Sequence, residues 1–511
     1  MLNFRCPEWT GIACQTCPWK AIVNVFADRL HFLQTSLQRV LMLPFKRQAT
    51  TPHTPKSDKK SSTTSISIDP VQGTRDFPPD EMRVRNYLFD AFRSTAKSFC
   101  FEEYDAPVVE HEALYVRKGG DEITKQMYSF TTRHGHKLCL RPEMTPSLAR
   151  LVLGKGKALS LPVKWFSIPQ CWRYEDITRG RRREHYQWNM DILGVKGVAA
   201  EAELIAAVCT ALQKLDLSEK EIVVKVSSRK ILQHLLVLSG VQSDDFAKVC
   251  IVIDKFDKYP REEIWTMLDE LGVSDYAIEN IFRAMLVTNL DQMESLLQAV
   301  QSGADNPDTT TADISSALQE VKDLFGMLRA YGMADWVEFD ASIVRGLTYY
   351  TGVVFEVVDR ERKFRAICGG GRYDGLFATY GSNLAIPACG FGFGDCVIHE
   401  ILREKKRLPA LQRTIDDVVI PFDESMRPAA IEVVALLRSK GRTADIIMHT
   451  KKVGQSFAYA DKNGAERAVF VAPDEWAAES VRVKYLRKTE ADVESKGPSK
   501  DKGESMKICD L

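Results

Sequence analysis

The most constraining feature of this sequence is a pair of strand-like runs joined by a basic loop within residues 164–194. Residues 164–175 are rich in aromatic and β-branched side chains, and residues 186–193 resume a strand-like pattern, so we predict an antiparallel hairpin. The loop carries four arginines: Arg179, Arg181, Arg182 and Arg183. Because a guanidinium is a planar fork that matches phosphate oxygens, the loop suits a polyanion. The alternative is an exposed hairpin with a solvated basic tip.

Arg173 and Glu175 stand at the end of the first predicted strand, separated by one residue. Side chains two apart on a strand point to the same face of the sheet, so both would face one ligand. The arginine can bind a phosphate there while the carboxylate accepts hydrogen bonds from a base.

The composition limits the class of protein. A chain of 511 residues is long enough for about three domains. The net charge is zero, so any contact with nucleic acid comes from a local patch. Twelve cysteines show no repeated spacing, so we interpret Cys14-x-x-Cys17 as chance and predict no metal site in a reduced, intracellular protein. The sequence contains no run of about 18 apolar residues, so we predict no membrane span.

The first 60 residues differ in charge from the rest. They carry nine Lys or Arg and three acidic residues, whereas the remainder holds 60 basic and 66 acidic groups. Residues 21–43 have helical apolar spacing, and a Ser/Thr/Lys-rich linker follows. We therefore predict an organelle transit peptide with its linker over residues 1–66, for a mitochondrion and/or plastid. The alternative is a disordered extension of a cytoplasmic protein.

A second polar segment precedes a predicted helix at residues 147–153. Glu143 and Thr145 flank Met144 and lie on one side of an extended segment. A carboxylate and a hydroxyl in this position can bind an ammonium group. The alternative is that Thr145 caps the helix.

Sequence patterns divide the rest of the chain into further segments. Residues 227–335 predict a helical insertion, and residues 411–488 alternate strands and helices as a small α/β domain does. Gly390, Gly392 and Gly394 alternate on one face of a predicted strand, and the helix that follows offers a candidate phosphate site, although the glycine pattern alone is weak. The charged tail, residues 489–511, should be mobile.

These motifs together resemble histidyl-tRNA synthetases, which are class II aminoacyl-tRNA synthetases, over about residues 71–487. The segment from Trp172 to Glu175 with its basic loop resembles motif 2, and residues 141–146 resemble the amino-acid-binding segment. The run from Arg345 to Tyr350 is similar to a segment particular to the histidine enzymes. The resemblance implies an α+β catalytic domain built on an antiparallel sheet over residues 67–410, a C-terminal α/β anticodon-binding domain and a homodimer.

The resemblance also implies ligands and residue roles. The substrates would be L-histidine, ATP accompanied by Mg²⁺, and tRNA(His), without a prosthetic group. Arg173 would hold the ATP α-phosphate and Glu175 the adenine, while Arg345 would stabilise the α-phosphate as the histidine carboxylate attacks. The loop arginines would contact tRNA. The implied histidine-binding residues are Glu143, Met144, Thr145, Gln187, Asp191, Tyr349, Tyr350 and Tyr373. Of these, Glu143, Thr145 and Gln187 would bind the α-amino group, and Asp191 and Tyr350 the imidazole.

The sequence departs from the family pattern at three places. Thr348 stands where aspartate is usual, and Asp191 where many members have glutamate. The motif 3 arginine that would bind the ATP γ-phosphate is absent after Gly394.

Two other functions remain open at this point: a catalytically silent regulatory subunit, and a synthetase for proline or threonine. Retention of Arg173, Glu175, Arg345 and the C-terminal α/β domain argues against the first, and the segment from Leu347 to Tyr350 argues against the second. For Arg345 itself, the alternative to catalysis is a buried salt bridge with a neighbouring carboxylate.

Deleting residues 1–66 removes none of these motifs, so we expect the shortened protein to keep its activity in vitro. Fused to a fluorescent protein, residues 1–70 should enter a mitochondrion or a plastid, as imaging of live cells would show. A diffuse cytosolic signal from the fusion would contradict the targeting prediction.

Overall fold

The computed structural model describes residues 67–116, 120–256, 259–302, 311–346, 349–381, 385–449, 452–487 and 503–511. Within it, Ile68–Leu511 forms one compact unit. The predicted leader lies outside the described residues, as do Thr348 and the polar stretch at 303–310.

The described residues up to 404 form a mixed set of strands and helices. The strands are β1 (Glu102–Glu103), β2 (Val109–His111), β3 (Tyr128–Thr131), β4 (Lys137–Leu140), β5 (Val163–Ser167), β6 (Gln170–Trp172), β7 (Glu184–Leu193), β8 (Ile222–Ser228), β9 (Val337–Phe339), β10 (Val353–Asp359), β11 (Cys368–Arg372) and β12 (Ala388–Gly394). The helices are α1 (Pro79–Ser98), α2 (Ala113–Val116), α3 (Gly120–Gln126), α4 (Thr145–Lys155), α5 (Ala199–Lys214), α6 (Arg229–Leu238), α7 (Phe246–Ile253), α8 (Arg261–Asp269), α9 (Asp275–Met285), α10 (Leu290–Ser302), α11 (Thr311–Ala330), α12 (Leu376–Thr379) and α13 (Asp395–Glu404).

A nine-stranded sheet organises this part of the molecule. Its order is β1-β5-β7-β12-β11-β10-β8-β9, and β6 pairs with β7 beside this path. The pairs β1–β5 and β8–β9 are parallel, and the other neighbours are antiparallel. The antiparallel sheet that the resemblance implied is therefore present.

The predicted first strand of the hairpin is two strands, β5 and β6, which both pair with β7. The break falls at residues 168–169, where Pro169 has no N–H to donate to a ladder. Its carbonyl instead accepts a bond from the Gln187 backbone N–H at 3.0 Å. Because β6 ends at Trp172, Arg173 and Glu175 lie beyond the strand, and strand alternation does not place them on one face.

The two faces of the sheet have different roles. Trp188 and Met190 on β7 face a core that helices α1, α5 and α13 cover, and the Phe92 ring of α1 stacks on Trp188 at 4.8 Å. Helix α1 begins with Pro79 and carries Asp80 in its first turn, both of which favour a helix N-terminus. Since strand side chains alternate, Asp191 on the same strand points to the opposite face.

Helices α6 to α11 form the predicted insertion between β8 and β9. They have a core of their own, which includes Leu235, Ile281 and Val321. Helix α6 starts at the residue after β8 ends, so the insertion is joined directly to the sheet. In the described ranges no helix combines the length and apolarity that a membrane span needs.

The C-terminal part has a separate sheet with a parallel core. Its strands are β13 (Ile415–Pro421), β14 (Ala444–Ile446), β15 (Ala465–Val471), β16 (Ser480–Tyr485) and β17 (Glu504–Lys507), and its helices are α14 (Arg427–Ser439), α15 (Val453–Lys462) and α16 (Pro473–Ala477). Strand β13 pairs in parallel with both β14 and β15, as the alternation of strands and helices predicted.

The expectation of a mobile tail is wrong for residues 503–511. Strand β17 pairs antiparallel with β16, and Leu511 is buried in the core of the C-terminal sheet. The polar composition of the tail concealed three apolar residues, Met506, Ile508 and Leu511, that pack against this core. Residues 488–502 lie outside the described part of the chain.

Replacing Leu511 with Ala should loosen this edge of the sheet. Burial of a leucine side chain contributes about 2 kcal/mol, so we expect hydrogen-exchange protection of the β16 amides to fall roughly 30-fold. The exposed Cys509 provides the control substitution, Cys509→Ser. Equal protection in both variants would show that the terminal residue adds nothing to the sheet.

Candidate active site

A buried cluster of one acid and three tyrosines, the candidate pocket, lies on the face of the sheet opposite Trp188. Asp191 stands on β7, Tyr373 follows β11, and Tyr349 and Tyr350 precede β10; all four are buried. The Tyr373 hydroxyl donates a hydrogen bond to Oδ1 of Asp191. The Tyr349 ring lies 4.9 Å from that of Tyr350 and 6.0 Å from that of Tyr373. The structure thus brings together four of the predicted histidine-binding residues.

Glycines in the neighbouring strand provide the room for this pocket. A Cβ at Gly390 would overlap the Asp191 carboxylate, and a Cβ at Gly392 would overlap the side-chain amide of Gln187. The alternating glycines of β12 therefore make space for amino-acid side chains, whereas the sequence suggested space for a phosphate.

The predicted phosphate position at the start of α13 is also wrong. The first turn of that helix carries Asp395, which is buried. Its Oδ1 accepts a bond from the Tyr186 backbone N–H at 2.9 Å, and its Oδ2 lies 2.9 Å from Nη1 of Arg75. A carboxylate in this place already interacts with the partial positive charge of the helix N-terminus, and it repels a phosphate.

Burial dominates the electrostatics of Asp191. Removal from water raises the pKa of its carboxyl to about 7, and the hydrogen bond from Tyr373 only partly opposes this rise. The acid therefore changes charge near neutral pH in the free protein. A ligand that donates an N–H to the carboxylate would stabilise the ionised form.

The second predicted segment lies beside the pocket at the start of α4. Glu143 is buried, and the Tyr349 hydroxyl donates to its Oε2 at 3.4 Å. Burial raises the pKa of Glu143, whereas Arg173, the Tyr349 bond and Arg345 lower it. Met144 is fully buried at the N-cap, and Thr145 is the first helical residue without a side-chain cap bond. The capping alternative for Thr145 is therefore wrong.

Arg141 connects this segment to motif 2. Its side chain is buried, and its Nε donates to the Gln170 carbonyl at 2.9 Å, while its own carbonyl accepts from the Trp172 backbone N–H. The Arg173 Nε then reaches the Pro142 carbonyl at 2.9 Å. Two segments that are distant in sequence thus hold an arginine next to the Glu143 carboxylate.

Arg345, in the segment before β10, also acts on the Glu143 carboxylate. Its Nη1 lies 2.6 Å from Oε1 of Glu356 on β10, and both side chains are about one-quarter exposed, 24% and 21%. Its guanidinium passes over Gly369, where a Cβ would overlap it. The salt bridge that we considered as an alternative is therefore present, in a place that also faces Tyr350, whose pKa the Arg345 charge lowers against the larger effect of burial.

The loop arginines are largely engaged with the protein itself. Arg179 pairs with Glu400 and Glu404 on α13, and Arg181 lies 2.9 Å from the carboxylate of Glu175. The Arg183 guanidinium stacks on the Tyr174 ring at 4.1 Å. Arg182 is exposed and lines a cleft of about 260 Å³ together with Arg75 and Arg403.

Sequence reasoning missed three polar residues next to the pocket. Asn189 lies between Gln187 and Asp191 in the strand alternation, and this spacing could have revealed it. The hydroxyls of Tyr104 and Ser167 are buried and lie beside each other. The Asp191 charge contributes to raising the pKa of Tyr104, after the effect of burial. Only the pairing of β1 with β5 brings Tyr104 to this position.

Comparison with known proteins identifies the class to which this architecture belongs. A family model described as histidyl-tRNA synthetase matches residues 73–394, and one described as anticodon binding domain matches residues 416–496. The antiparallel sheet, its glycine-floored pocket and the C-terminal module are those of a class II aminoacyl-tRNA synthetase. Within that class, the chain belongs to the histidyl-tRNA synthetase family.

Individual relatives agree with this assignment. The histidine–tRNA ligase, chloroplastic/mitochondrial, of Arabidopsis thaliana is 48% identical over 421 residues, covering 82% of this chain and 84% of the relative. The histidine–tRNA ligase of Opitutus terrae is 35% identical over 83% of this chain and 95% of its own length. The crystal structure of histidyl-tRNA synthetase from Nostoc sp. PCC 7120 shares the fold, with a TM-score of 0.67 at 21% identity, over 82% of this chain and 95% of that one.

The raised pKa of Asp191 predicts that Asp191→Asn stabilises the ligand-free protein. An unfolded aspartate ionises near pH 3.9, so between about pH 4 and pH 7 the folded protein retains a proton that the unfolded chain has lost. Stability therefore falls as pH rises through this window, and Asn removes the loss. The gain from Asp191→Asn should be about 1 kcal/mol larger at pH 8 than at pH 6.

Calorimetric melting of both proteins at the two pH values measures this difference. The exposed Asp335 provides the control, Asp335→Asn. A gain that does not depend on pH would show that the Asp191 carboxyl is not held partly protonated near neutrality.

Proposed function

We propose that this chain activates L-histidine with ATP to form histidyl-adenylate and transfers the histidyl group to tRNA(His), releasing AMP and diphosphate, for protein synthesis. The observation that carries this proposal is the buried Asp191–Tyr373 pair among tyrosine rings, beside Glu143, on which the charges of Arg173 and Arg345 act. An imidazole is flat and has one N–H donor and one acceptor at neutral pH, so it matches an acid and hydroxyls between aromatic rings.

In the proposed pose, one set of residues binds the imidazole of histidine and another set binds its α-ammonium group. The Asp191 carboxylate accepts from one imidazole nitrogen, and the Tyr350 hydroxyl bonds the other. Glu143, Thr145 and Gln187 bind the α-ammonium group, and Glu143 suits this role because a carboxylate accepts hydrogen bonds from an ammonium group. An apolar rival amino acid would leave these groups unpaired, which supports rejection by roughly 10⁴-fold or more without an editing site.

The proposed chemistry of the first step is an attack of a histidine carboxylate oxygen on the α-phosphorus of ATP. The new bond forms as the bond to the β-phosphate oxygen breaks, and diphosphate leaves with the electron pair. Arg173 and Arg345 neutralise charge on the non-bridging α-phosphate oxygens, and both stay cationic throughout because arginine does not deprotonate in proteins. Glu175 faces the adenine, and the ATP enters as its Mg²⁺ complex.

The second substrate engages two distant parts of the chain. The C-terminal α/β domain, whose sheet runs from β13 to β17, would contact the anticodon, and the motif 2 loop would contact the acceptor end. Among the loop arginines, exposed Arg182 is the most available to a tRNA phosphate, whereas Arg179, Arg181 and Arg183 would have to exchange their present partners. A homodimer and a mitochondrial and/or plastid location complete the proposal, with the cytoplasm as the alternative location.

One observation favours a second function. The absence of the motif 3 arginine agrees with a silent regulatory subunit. Pyrophosphate–ATP exchange measured with each of the twenty amino acids separates the two functions: a ligase exchanges with histidine, and a regulatory subunit exchanges with none.

Replacing Arg345 with Ala should slow adenylate formation by roughly 10²–10³-fold, about 3–4 kcal/mol, as loss of one preorganised charge donor does. Histidine affinity should change less than turnover, because this contact strengthens as charge develops. Rapid-quench measurement of adenylate formation tests this expectation, with surface variant Arg487→Ala as the control.

Glu356→Gln separates catalysis from the salt bridge, since it removes the partner of Arg345 and keeps the arginine. If the ion pair mattered only for folding, Arg345→Ala and Glu356→Gln would both melt at a lower temperature but keep the parent rate of adenylate formation.

A further inference from the structure

Arg345 has an unfavourable backbone conformation. Its φ of +60° lies in the left-handed region, which a residue other than glycine occupies at a cost of about 1 kcal/mol or more. Such a conformation persists only where surrounding contacts maintain it. Relaxation of this backbone would move the guanidinium away from Gly369, over which it now passes.

Arg229 makes the contacts that maintain this conformation. Its Nε donates to the Val344 carbonyl at 3.2 Å, and its Nη2 donates to the Arg345 carbonyl. Its backbone N–H donates to the Gly352 carbonyl at 2.9 Å, at the other end of the same segment. One residue thus fixes both ends of the segment that carries Arg345 and the pocket tyrosines.

Arg229 is a buried cation at a helix N-terminus, and this position is unfavourable unless the residue has a role beyond forming the helix. It is the first residue of α6 and is 3% exposed. A cation at a helix N-terminus opposes the helix dipole, and burial of a charge is costly unless polar groups surround it. The two carbonyl oxygens of the Arg345 segment offset part of this cost.

A second element of the insertion reaches the same segment. Asp254 follows α7, and its Oδ2 lies 3.0 Å from the position that a Cβ on Gly346 would occupy. The Asp254 and Glu356 charges both raise the pKa of Arg345, against the opposing effect of burial. The insertion therefore contacts the Arg345 segment through Arg229 and through Asp254.

From this geometry we infer that Arg229 is a positioning residue for adenylate formation, which holds the backbone of Arg345 so that its guanidinium meets the α-phosphate. The inference rests on the proposed role of Arg345. It also makes the helical insertion part of the catalytic geometry, since its first residue sets the position of a group in the active site.

The test compares single-turnover adenylate formation and histidine affinity in Arg229→Gln, Arg345→Ala and the double variant. Arg229→Gln should slow adenylate formation roughly 10- to 50-fold and change the histidine dissociation constant less than about 3-fold. Because Arg229 acts through Arg345, the double variant should be no slower than Arg345→Ala alone. Arg283→Gln, on an exposed position of α9, is the matched control.

Arg229→Lys keeps the charge but cannot donate to both carbonyls in the same fork geometry. We expect its rate to lie between those of the parent protein and Arg229→Gln, and this variant replaces Arg229→Gln if that protein does not fold.

Losses that multiply in the double variant would overturn the inference, as would a normal rate in Arg229→Gln beside an impaired Arg345→Ala. A normal rate in Arg345→Ala would overturn both this inference and the proposed role of Arg345.

Discussion

The catalytic half of the molecule depends on the antiparallel pairing of β7 with β12. In its register Gly390 stands opposite Asp191, where any larger residue would overlap the carboxylate. On the other face of the same two strands Trp188 packs on Phe391 and Phe393 in the core. Because side chains alternate along each strand, one pair of strands supplies both the packed interior and the floor of the ligand pocket.

Charge placement distinguishes the pocket from its surroundings. Buried Asp395 pairs with Arg75, and buried Glu201 pairs with Arg372. Asp191 is as buried as these acids, but its hydrogen bond comes from a tyrosine hydroxyl. An acid without a cation beside it is costly to ionise, which explains its raised pKa. A ligand with an N–H donor stabilises the ionised carboxylate of Asp191, and this stabilisation contributes to the affinity of the site for such a ligand.

Sequence reasoning failed where a local pattern had two physical explanations. Alternating glycines before a helix suggested a phosphate site, yet the space serves Gln187 and Asp191, and Asp395 occupies the helix N-terminus. The four loop arginines suggested a polyanion site or a solvated tip; Glu175, Glu400 and Glu404 lie next to two of them, and the contact of the loop with tRNA stays a prediction. The charged tail suggested mobility, although its last residues complete a sheet. For the glycines and for the tail, the deciding partners, Gln187 and Asp191 in one case and β16 in the other, are distant in sequence.

The sequence by itself determined the two-part organisation, the antiparallel hairpin around residues 164–194, the helical insertion and most of the pocket residues. The first three follow from hydrophobic periodicity and turn residues, which are local properties of the chain, whereas the pocket residues follow from the resemblance of short motifs to a known family. Only the tertiary structure decided that Tyr104 reaches the pocket, that Glu356 pairs with Arg345, and that Arg229 holds the Arg345 backbone. These contacts join segments up to 116 residues apart, and strand register and burial select such partners, which no local pattern encodes.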